Sequence, residues 1–393
     1  MNSPQAVEDR IYLDHNATTP VSERVLAAML PWLKDGFGNA SSIHAEGRAA
    51  RSAVDNARRE VATLLGAAEE EIFFTSGGTE SNNLAIFGAV ESSGRTGGTL
   101  VGTPVEHHAV LRPLGRLEQR GFSLHLLEVD SGGRVDPDAL KDLLAGRDDV
   151  LLVSVIMANN EVGTVQPVDE LAEICRGRGV LFHTDAVQAA GKLPIDLTAL
   201  PADLLSISGH KLYGPKGVGA LFIRKRVKIA PQLLGGSHER KIRAGTENVA
   251  GIAGLGEACR LAAENLEQGN RSLADLRDRM YSGLRGKLDG VHLNGHERHR
   301  LSNTLNLSFE GVEGEALLLN LDLAGISCSS GSACASGSLE PSHVLTAMGV
   351  SLELAQASVR FSLGRSNTSA QIDRAVDEIA GVVTRLRSLK FSF

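Results

Sequence analysis

Short apolar runs alternate with helical patterns through much of the chain, and this alternation limits the fold more than any other feature. The runs lie in the segments TLVGTPVEHHAVL, SLHLLEVD, DVLLVSVIMANNEVGTVQPV, GVLFHTDAVQAAGK and ADLLSISGHK. Strands that are separated by helices pair in parallel, and the helices then cover both faces of the sheet. The sequence therefore predicts an α/β fold with a mainly parallel sheet.

Polar side chains cluster just past the ends of these predicted strands. Open α/β sheets bind their ligands at the carboxyl ends of the strands, in the crevice where the connections diverge. We therefore expect a ligand site that includes His107, Asn160, Asp185, Gln188, Ser208, His210 and Lys211.

Lys211 lies in SISGHKLYGPKGVGAL, where an apolar run gives way to a Gly/Pro-rich segment. This pattern is typical of a buried strand that leads into a tight loop. A lysine held in such a loop loses its proton more easily and can attack a carbonyl to form a Schiff base. The alternative is a solvated loop lysine, which is the more common environment for this residue type.

A second signal is the segment EIFFTSGGTESNNLAI, in which a strand at Ile72 to Phe74 precedes a Gly-rich turn and a helix. Glycines allow a close backbone approach, and the free N–H groups of a helix N-terminus suit a phosphate. An ordinary capped helix is the alternative. Together with Lys211 and an acid, Asp185, that could keep a pyridine nitrogen protonated, the segment predicts a pyridoxal phosphate site. Taken singly, Asp185 would be a helix N-cap and His107 a surface histidine.

The length of 393 residues favours a large domain with a smaller partner. We predict a large cofactor-binding domain at residues 15–262 and a small α+β domain formed by residues 1–14 and 263–393. A long helical pattern from Asn248 to Lys287 links them, and a closing helix runs from Ala370 to Leu389. The small domain carries a Ser/Gly/Cys loop at about residues 325–341, whose composition is too flexible for a core.

Composition excludes several classes of function. The net charge of -7 and the lack of a long basic run disfavour direct binding to nucleic acid or to an anionic membrane surface. No apolar run approaches the roughly 18 residues that span a bilayer, and the N-terminus lacks a signal-like apolar stretch, so a cytoplasmic protein is expected. The 4 cysteines have no CxxC pairing, so a special cysteine would work as a thiolate.

Nine segments resemble the cysteine desulfurases of the NifS/IscS type, which are pyridoxal-phosphate enzymes of the aminotransferase fold (fold type I, class V). They are YLDHNATTP, FTSGGTESNNLAI, VEHHAVL, ANNEVGTVQP, FHTDAVQAAGK, SGHKLYGPKGVGAL, RAGTENVAGI, SSGSACASGSLEPSHVL and SVRFSLGR. They follow the family's order, and the resemblance runs from about Ile11 to the C-terminal helix, which is essentially the whole chain. The resemblance implies a homodimer that converts L-cysteine to L-alanine and passes sulfur to an acceptor protein such as an iron–sulfur scaffold.

The resemblance also implies roles for individual residues. Lys211 would hold the cofactor as a Schiff base and move the substrate proton, Asp185 would hold the pyridine nitrogen, and His107 would stack on the ring. Gln188 would meet the phenolic oxygen of the cofactor. The phosphate would be bound by Gly78, Thr79, Ser208, His210 and, from the neighbouring subunit, Thr246. The substrate carboxylate would be held by Asn160 and Arg360. For Arg360, a structural pair with a local Glu is the alternative.

Cys334 is the residue that the resemblance assigns to sulfur chemistry. Its thiolate would take the substrate sulfur as a persulfide, and it could share a [2Fe–2S] cluster with a scaffold that supplies the other ligands. Two positions depart from many relatives. His15 could line the site and has no assigned role, whereas Cys328 is expected to be a small buried residue, with a resolving thiol or cluster ligand as the alternative. Cys175 and Cys259 lie in helical patterns and are expected to pack in the core.

Three other functions remain open. A selenocysteine lyase or a general aminotransferase could use the same fold and cofactor, because the fold alone does not fix the reaction. A non-catalytic partner in a sulfur-transfer complex is the third, and the presence of Lys211, Asp185 and His107 argues against it. Cys334 separates desulfuration from transamination, because transamination needs no mobile thiol.

Overall fold

The structure is a computed structural model that describes residues 10–330 and 341–390. Cys334 therefore lies outside the described residues. The strands are β1 Ile11–Tyr12, β2 Ile72–Thr75, β3 Thr99–Gly102, β4 Ser123–Leu126, β5 Val150–Ser154, β6 Leu181–Asp185, β7 Leu204–Ser208, β8 Gly219–Ile223, β9 Val291–Asn294, β10 Thr304–Phe309, β11 Ile326–Ser327, β12 Ser329–Ser330 and β13 Ser358–Ser362.

Several helices begin or end at capping residues. Ser22 accepts a hydrogen bond from Val25 N at the start of α1, and Gly66 ends α2 in the left-handed conformation at φ 61°. The helices are α1 Glu23–Lys34, α2 Ala45–Leu65, α3 Gly78–Ser92, α4 His108–Glu118, α5 Pro137–Ala145, α6 Val168–Arg178, α7 Val249–Glu264, α8 Leu266–Lys287, α9 Gly314–Leu323, α10 His343–Ala347, α11 Leu352–Gln356 and α12 Ser369–Lys390.

The central sheet has seven strands in the order β2-β8-β7-β6-β5-β3-β4. Neighbouring strands pair in parallel from β7 to β4, whereas β8 is antiparallel to both β7 and β2. The prediction of a mainly parallel sheet is confirmed. Because neighbouring parallel strands end at the same edge, the residues after β5, β6 and β7 lie side by side.

Side chains of the central strands alternate between two apolar layers, as the two-residue period of a strand requires. Val153 and Leu205 enter the larger cluster, which includes residues of α2 and α7. Their neighbours Leu152 and Leu204 face the other side of the sheet, toward clusters that include residues of α3 and α4. The helices thus cover both faces, as the alternating pattern predicts.

A second sheet, whose strands are antiparallel, has the order β12-β13-β10-β9. Its core contains Leu307 and Phe361 from the strands, with Leu284 of α8 and Ile379 of α12, and Ile11 joins this cluster from the start of the chain. The smaller α+β unit is therefore present. Its predicted boundaries at residues 14 and 263 stay a prediction.

The long helical pattern from Asn248 to Lys287 forms two helices, α7 and α8, rather than one. The break falls at Asn265, whose backbone leaves helical geometry (φ -109°, ψ 9°) and whose side-chain amide donates to Leu261 O at 2.8 Å. An asparagine side chain that bonds the preceding turn competes with the regular helix bonds. Within the described ranges, no helix combines the length and apolar character that crossing a membrane would need.

Candidate active site

Lys211 ends a short 3₁₀ helix, Gly209–Lys211, that follows β7 directly. Its Nζ donates to two backbone carbonyls of the loop after β1, Asn16 O at 2.5 Å and Ala17 O at 2.7 Å. The side chain is half-buried. The loop therefore holds the amine at the sheet edge that the sequence predicts for the ligand.

Asp185 is the last residue of β6 and is buried. Its Oδ1 accepts from Val187 N at 2.9 Å, and its Oδ2 accepts from Asn82 Nδ2 at 2.6 Å. Two donors on opposite oxygens fix the plane of the carboxylate. The acid is thus held rigidly one strand away from Lys211.

His107 forms the N-cap of α4, where its Nδ1 accepts from Ala109 N at 3.0 Å. This bond makes Nδ1 the acceptor, so the neutral ring carries its proton on Nε2. Burial lowers the pKa of His107 below its usual value; the charge of Asp185 acts against this, whereas Lys211 and His343 reinforce it. The imidazole is therefore neutral near pH 7, and its ring interacts electrostatically with both Asp185 and Lys211.

The predicted phosphate site has the features of an anion cup. The first-turn N–H groups of α3, which begins at Gly78, have no intrahelical acceptors and point toward the loop side. An added Cβ at Gly78 would lie 2.6 Å from Val187 Cγ2, so only glycine allows the helix to start this close to the turn after β6. An added Cβ at Gly77 would lie 3.7 Å from Ser208 Oγ, which places that hydroxyl beside the helix start.

His210 lies at the same edge, and its Nδ1 is 3.2 Å from Thr18 Oγ1. Burial is the main cause that lowers the pKa of His210 to about 4, and Lys211 adds to it. The ring is neutral at physiological pH, so it can offer a hydrogen bond to an anion but no charge. Attraction for a phosphate must come from the α3 N-terminus and the neighbouring hydroxyls.

Gln188 and Asn160 join the site through Asn16. Gln188 Nε2 donates to Asn16 O at 2.9 Å, and Asn16 Nδ2 donates to the backbone carbonyl of Asn160 at 3.1 Å. That carbonyl also accepts from Arg360 Nη1 at 3.1 Å. The segment after β1 thus ties the two candidate substrate residues to Lys211.

Arg360 lies on β13 and is only 1% exposed. Its Nη2 donates to Asp14 Oδ1 at 2.8 Å, and its Nε is buried with no hydrogen-bond partner among the described residues. Arg360 therefore does form a structural ion pair, but the partner is Asp14, distant in the sequence, and not a local glutamate. The contact with a substrate carboxylate stays a prediction.

Thr246 is exposed, on the loop between the 3₁₀ helix Glu239–Lys241 and α7. Exposure agrees with a role toward a second subunit, which stays a prediction. Within the described ranges, no group of three or more His, Cys, Asp or Glu side chains could hold a metal ion. The cluster-ligand prediction for Cys334 falls outside those ranges.

The remaining cysteines behave as packing residues. Cys175 and Cys259 are buried in the larger core, which confirms the prediction for both. Cys328, which was expected to be buried, is half-buried: it lies between β11 and β12 and packs against the smaller core, and desolvation raises its pKa to about 12. A thiol with that pKa carries almost no thiolate at neutral pH.

Four residues that contact the site residues were not predicted as part of it. Asn82 fixes Asp185, the carbonyl of Asn16 receives both Lys211 and Gln188, and Lys192 Nζ donates to Gln188 Oε1 at 2.9 Å. Glu106, next to His107, is fully buried and its pKa is raised to about 8 by desolvation. Asn16 lies in the motif LDHNATT and Asn82 in the motif GGTESNN. The polar residues of these motifs were the sequence signal that could have identified both as site residues.

The donor set fits pyridoxal phosphate. The cup at α3 supplies N–H and hydroxyl groups for a phosphate, and Asp185 supplies a buried carboxylate for a protonated ring nitrogen. Lys211 supplies the amine that the aldehyde requires. The fold and this set of residues define a fold-type I pyridoxal-phosphate enzyme.

Comparison with known proteins agrees with this assignment. Residues 11–375 match the family model of class-V aminotransferases. The chain is 52% identical to a cysteine desulfurase IscS of Methanosarcina thermophila over 96% of this chain and 93% of the relative. It is 49% identical to a cysteine desulfurase IscS of Dictyoglomus turgidum, with 96% of each chain covered.

Solved structures show the same likeness. A NifS-like protein superposes with a TM-score of 0.90 at 39% identity, covering 96% of this chain and all of the other. A NifS-like protein from Rickettsia africae gives a TM-score of 0.86 at 34% identity, with 95% and 99% covered. The chain belongs to the pyridoxal-phosphate-dependent class-V aminotransferase family. Within it, the chain belongs to the cysteine desulfurases of the NifS/IscS type.

Proposed function

We propose that this protein converts L-cysteine to L-alanine and captures the sulfur as a persulfide on Cys334. The observation that carries the proposal is the convergence of Lys211, Asp185 and the α3 N-terminus at one edge of the parallel sheet. A lysine, an acid and an anion cup in this arrangement meet the three needs of pyridoxal phosphate. When bound, this cofactor supplies an electron sink for bonds broken at the substrate α-carbon.

The residues of the chain then have separate tasks. With the cofactor bound, Lys211 Nζ would take the proton from the substrate α-carbon and return it. Neutral His107 would stack against the cofactor ring and would exchange a proton through its Nε2. Arg360 and Asn160 hold the substrate carboxylate, which sets the orientation of the α-carbon toward Lys211.

The sulfur step balances without an added oxidant. The Cys334 thiolate attacks the sulfur of the bound L-cysteine, an S–S bond forms, and the bond between that sulfur and the β-carbon breaks. The electron pair of the broken bond stays with the carbon fragment, which takes up a proton and leaves as L-alanine. The enzyme thiol is oxidised to a persulfide and the substrate carbon is reduced by the same two electrons.

Cys334 is favoured over the other cysteines on physical grounds. The described residues before Cys334 end with β12, where Ser329 pairs with Arg360, and they begin again at Pro341. The segment that holds Cys334 therefore starts beside a proposed substrate-binding residue. Cys328, the nearest alternative, is held in an apolar environment that suppresses its thiolate.

We further propose a homodimer in which Thr246 reaches the phosphate site of the partner. Exposed apolar side chains support an interface, among them Phe37 at 85%, Ile43 at 91% and Leu234 at 84% exposure. Co-expression of Lys211→Ala and Thr246→Val chains tests this. If Thr246 acts across the interface, the mixed dimer keeps one intact site and regains cofactor binding that Thr246→Val alone lacks. If it acts within its own chain, no mixed dimer has an intact site.

Sulfur acceptance is the last step of the proposal. An iron–sulfur scaffold protein in the cytoplasm is the proposed acceptor, and Cys334 could share a [2Fe–2S] cluster with it during transfer. Because clusters usually take about four ligands, the scaffold supplies the others.

The experiment is to purify the protein, record its visible spectrum, and measure alanine and sulfide released from L-cysteine with dithiothreitol. We expect a yellow protein that forms the two products in equal amounts, and a Lys211→Ala variant that forms neither. Lys216→Ala, on the exposed part of the same loop, is the matched control and should keep both. A colourless wild type overturns the cofactor assignment, and turnover without sulfide indicates an aminotransferase.

A further inference from the structure

Lys192 lies behind the proposed catalytic lysine, on the turn that follows β6. Its Nζ donates to Gln188 Oε1 at 2.9 Å, four residues earlier in the chain. The side chain borders a small cavity of about 30 Å³ that is also lined by His15, Lys211 and Tyr213. Nothing in the proposed reaction uses this lysine.

The main chain of Lys192 is anchored from the other side. Its carbonyl accepts from Asn270 Nδ2 at 2.7 Å, and Asn270 Oδ1 in turn accepts from Ser302 Oγ at 2.8 Å. Asn270 lies on α8. These bonds fix the position from which the Lys192 side chain reaches back to Gln188.

The contact determines which way the Gln188 amide faces. The side-chain oxygen and nitrogen of a glutamine are interchangeable in shape, so the partners decide the orientation. Lys192 Nζ donates to the Gln188 oxygen, and the Asn16 carbonyl, which only accepts, meets the Gln188 nitrogen, so both partners favour the same orientation. The NH₂ group is then turned the other way, where one N–H meets Asn16 O at 2.9 Å. Lys211 Nζ donates to the same Asn16 carbonyl at 2.5 Å, so the Gln188 NH₂ group and the proposed catalytic amine share one acceptor.

We propose that Lys192 is a positioning residue that locks the Gln188 amide with its N–H groups toward the cofactor. The inference rests on the proposed function, in which Gln188 meets the phenolic oxygen of pyridoxal phosphate. With the amide reversed, an oxygen would face that phenolic oxygen and repel it. Lys192 thus acts through Gln188 and does not itself touch the cofactor.

Several charged groups face Lys192. Burial is the main cause that lowers the pKa of Lys192 to about 7, and the positive charges of Lys211 and Arg360 add to it. His15 lines the same cavity, and its pKa is lowered to about 4, mainly by burial. A variant that removes Lys192 therefore changes both a hydrogen bond and a charge, so the test must separate them.

The test uses the holoenzyme and the visible absorption of its bound pyridoxal phosphate, titrated with pH. Lys192→Met removes the donor at nearly the same length. When the Gln188 donor is lost, the anionic form of the phenolic oxygen is less stabilised. The pH midpoint of the visible-absorption titration therefore rises by about 0.5 to 1 pH unit. Lys192→Arg keeps a charged donor and should shift the midpoint by less than half as much.

The same substitution is then made in a Gln188→Leu background, as a double-mutant cycle. If Lys192 acts through Gln188, Lys192→Met causes little further shift there. An equal shift in both backgrounds means that Lys192 acts by charge alone and overturns the proposal, as does an unchanged midpoint with Gln188 present. Lys192→Leu replaces the Met variant if that variant does not fold.

Failure of this inference is distinct from failure of the proposed function. A yellow wild type that makes alanine and sulfide, with unshifted Lys192 variants, removes only the role of Lys192. A colourless wild type removes the proposed function first.

Discussion

Asn82 donates a 2.6 Å hydrogen bond from its side-chain amide to Oδ2 of Asp185. Both residues are buried, and the bond joins α3 to the end of β6. The helix that presents the phosphate cup therefore also holds the acid proposed for the ring nitrogen. The position of a single helix therefore sets two of the contacts proposed for the cofactor.

Replacing Asn82 tests this coupling. Asn82→Ala leaves Oδ2 of Asp185 without its donor, and hydrogen bonds to charged groups contribute about 1.5 to 3 kcal/mol. We expect the dissociation constant for pyridoxal phosphate to rise by about tenfold or more, measured by fluorescence titration of the apoprotein. Asn56→Ala is the control, because Asn56 is exposed and its side-chain oxygen accepts a hydrogen bond from Arg59, which is also exposed. Unchanged affinity in Asn82→Ala would show that Asp185 needs no support from α3.

Gly78 tests the close approach at the cup. Gly78→Ala places a methyl group 2.6 Å from Val187 Cγ2, so the start of α3 must move away from the turn after β6. Weaker cofactor binding is the expected result, read out by the same titration. Gly115→Ala, in α4 with no atom within 4 Å of the added Cβ, should bind the cofactor like the wild type. Equal affinity in both variants would mean that the cup tolerates a displaced helix.

The ion pair of Arg360 with Asp14 bears on stability. Asp14→Asn leaves the guanidinium, 1% exposed in its side chain, without its counter-charge. Breaking a buried pair from one side leaves an uncompensated charge, so the free energy of unfolding should fall by about 3 kcal/mol. Urea denaturation measures it. Asp322→Asn breaks the more exposed pair with Arg10 and should change the stability far less. Similar losses in the two variants would contradict the burial argument.

The buried carboxyl of Glu106 should make the free energy of unfolding depend on pH. Its Oε1 accepts from Thr103 Oγ1 and Ile156 N, and desolvation raises its pKa from 4.5 to about 8. The folded state therefore binds this proton more tightly than the unfolded state. The resulting contribution to stability is fully present below about pH 4.5 and is lost as the pH rises toward 8.

Glu106→Gln cannot ionise and removes this dependence. Between pH 5 and 8 we expect the variant to gain about 3 to 5 kcal/mol of stability relative to the wild type, since one pKa unit corresponds to about 1.4 kcal/mol. Urea denaturation across this range measures the difference, with Glu118→Gln, exposed at the end of α4, as the control. Parallel curves for wild type and Glu106→Gln would show that the carboxyl ionises normally.

The sequence was sufficient for residues whose chemistry is local. Lys211 and Asp185 each follow an apolar run, and parallel strands bring such positions to one edge of the sheet. The turn glycines before α3 were equally visible.

Contacts between distant segments could not be predicted in the same way. Asn82 lies within a helical pattern, where a polar residue usually faces solvent, and only the folded chain places it against Asp185. The contact of Lys192 with Gln188 could not be predicted for the same reason, because nothing in the sequence indicates that a lysine in a turn is buried. The break at Asn265 depends on a side-chain bond to Leu261 that no periodicity reveals.

Sulfide release by two cysteine variants shows which thiol receives the sulfur. Cys334→Ala and Cys328→Ala are purified with bound cofactor, and sulfide and alanine from L-cysteine with dithiothreitol are measured for each. We expect that both variants stay yellow, that Cys334→Ala releases no sulfide, and that Cys328→Ala, which removes a thiol with a pKa of about 12, keeps most of its turnover. Full sulfide release by Cys334→Ala would contradict the assignment of the persulfide to that residue.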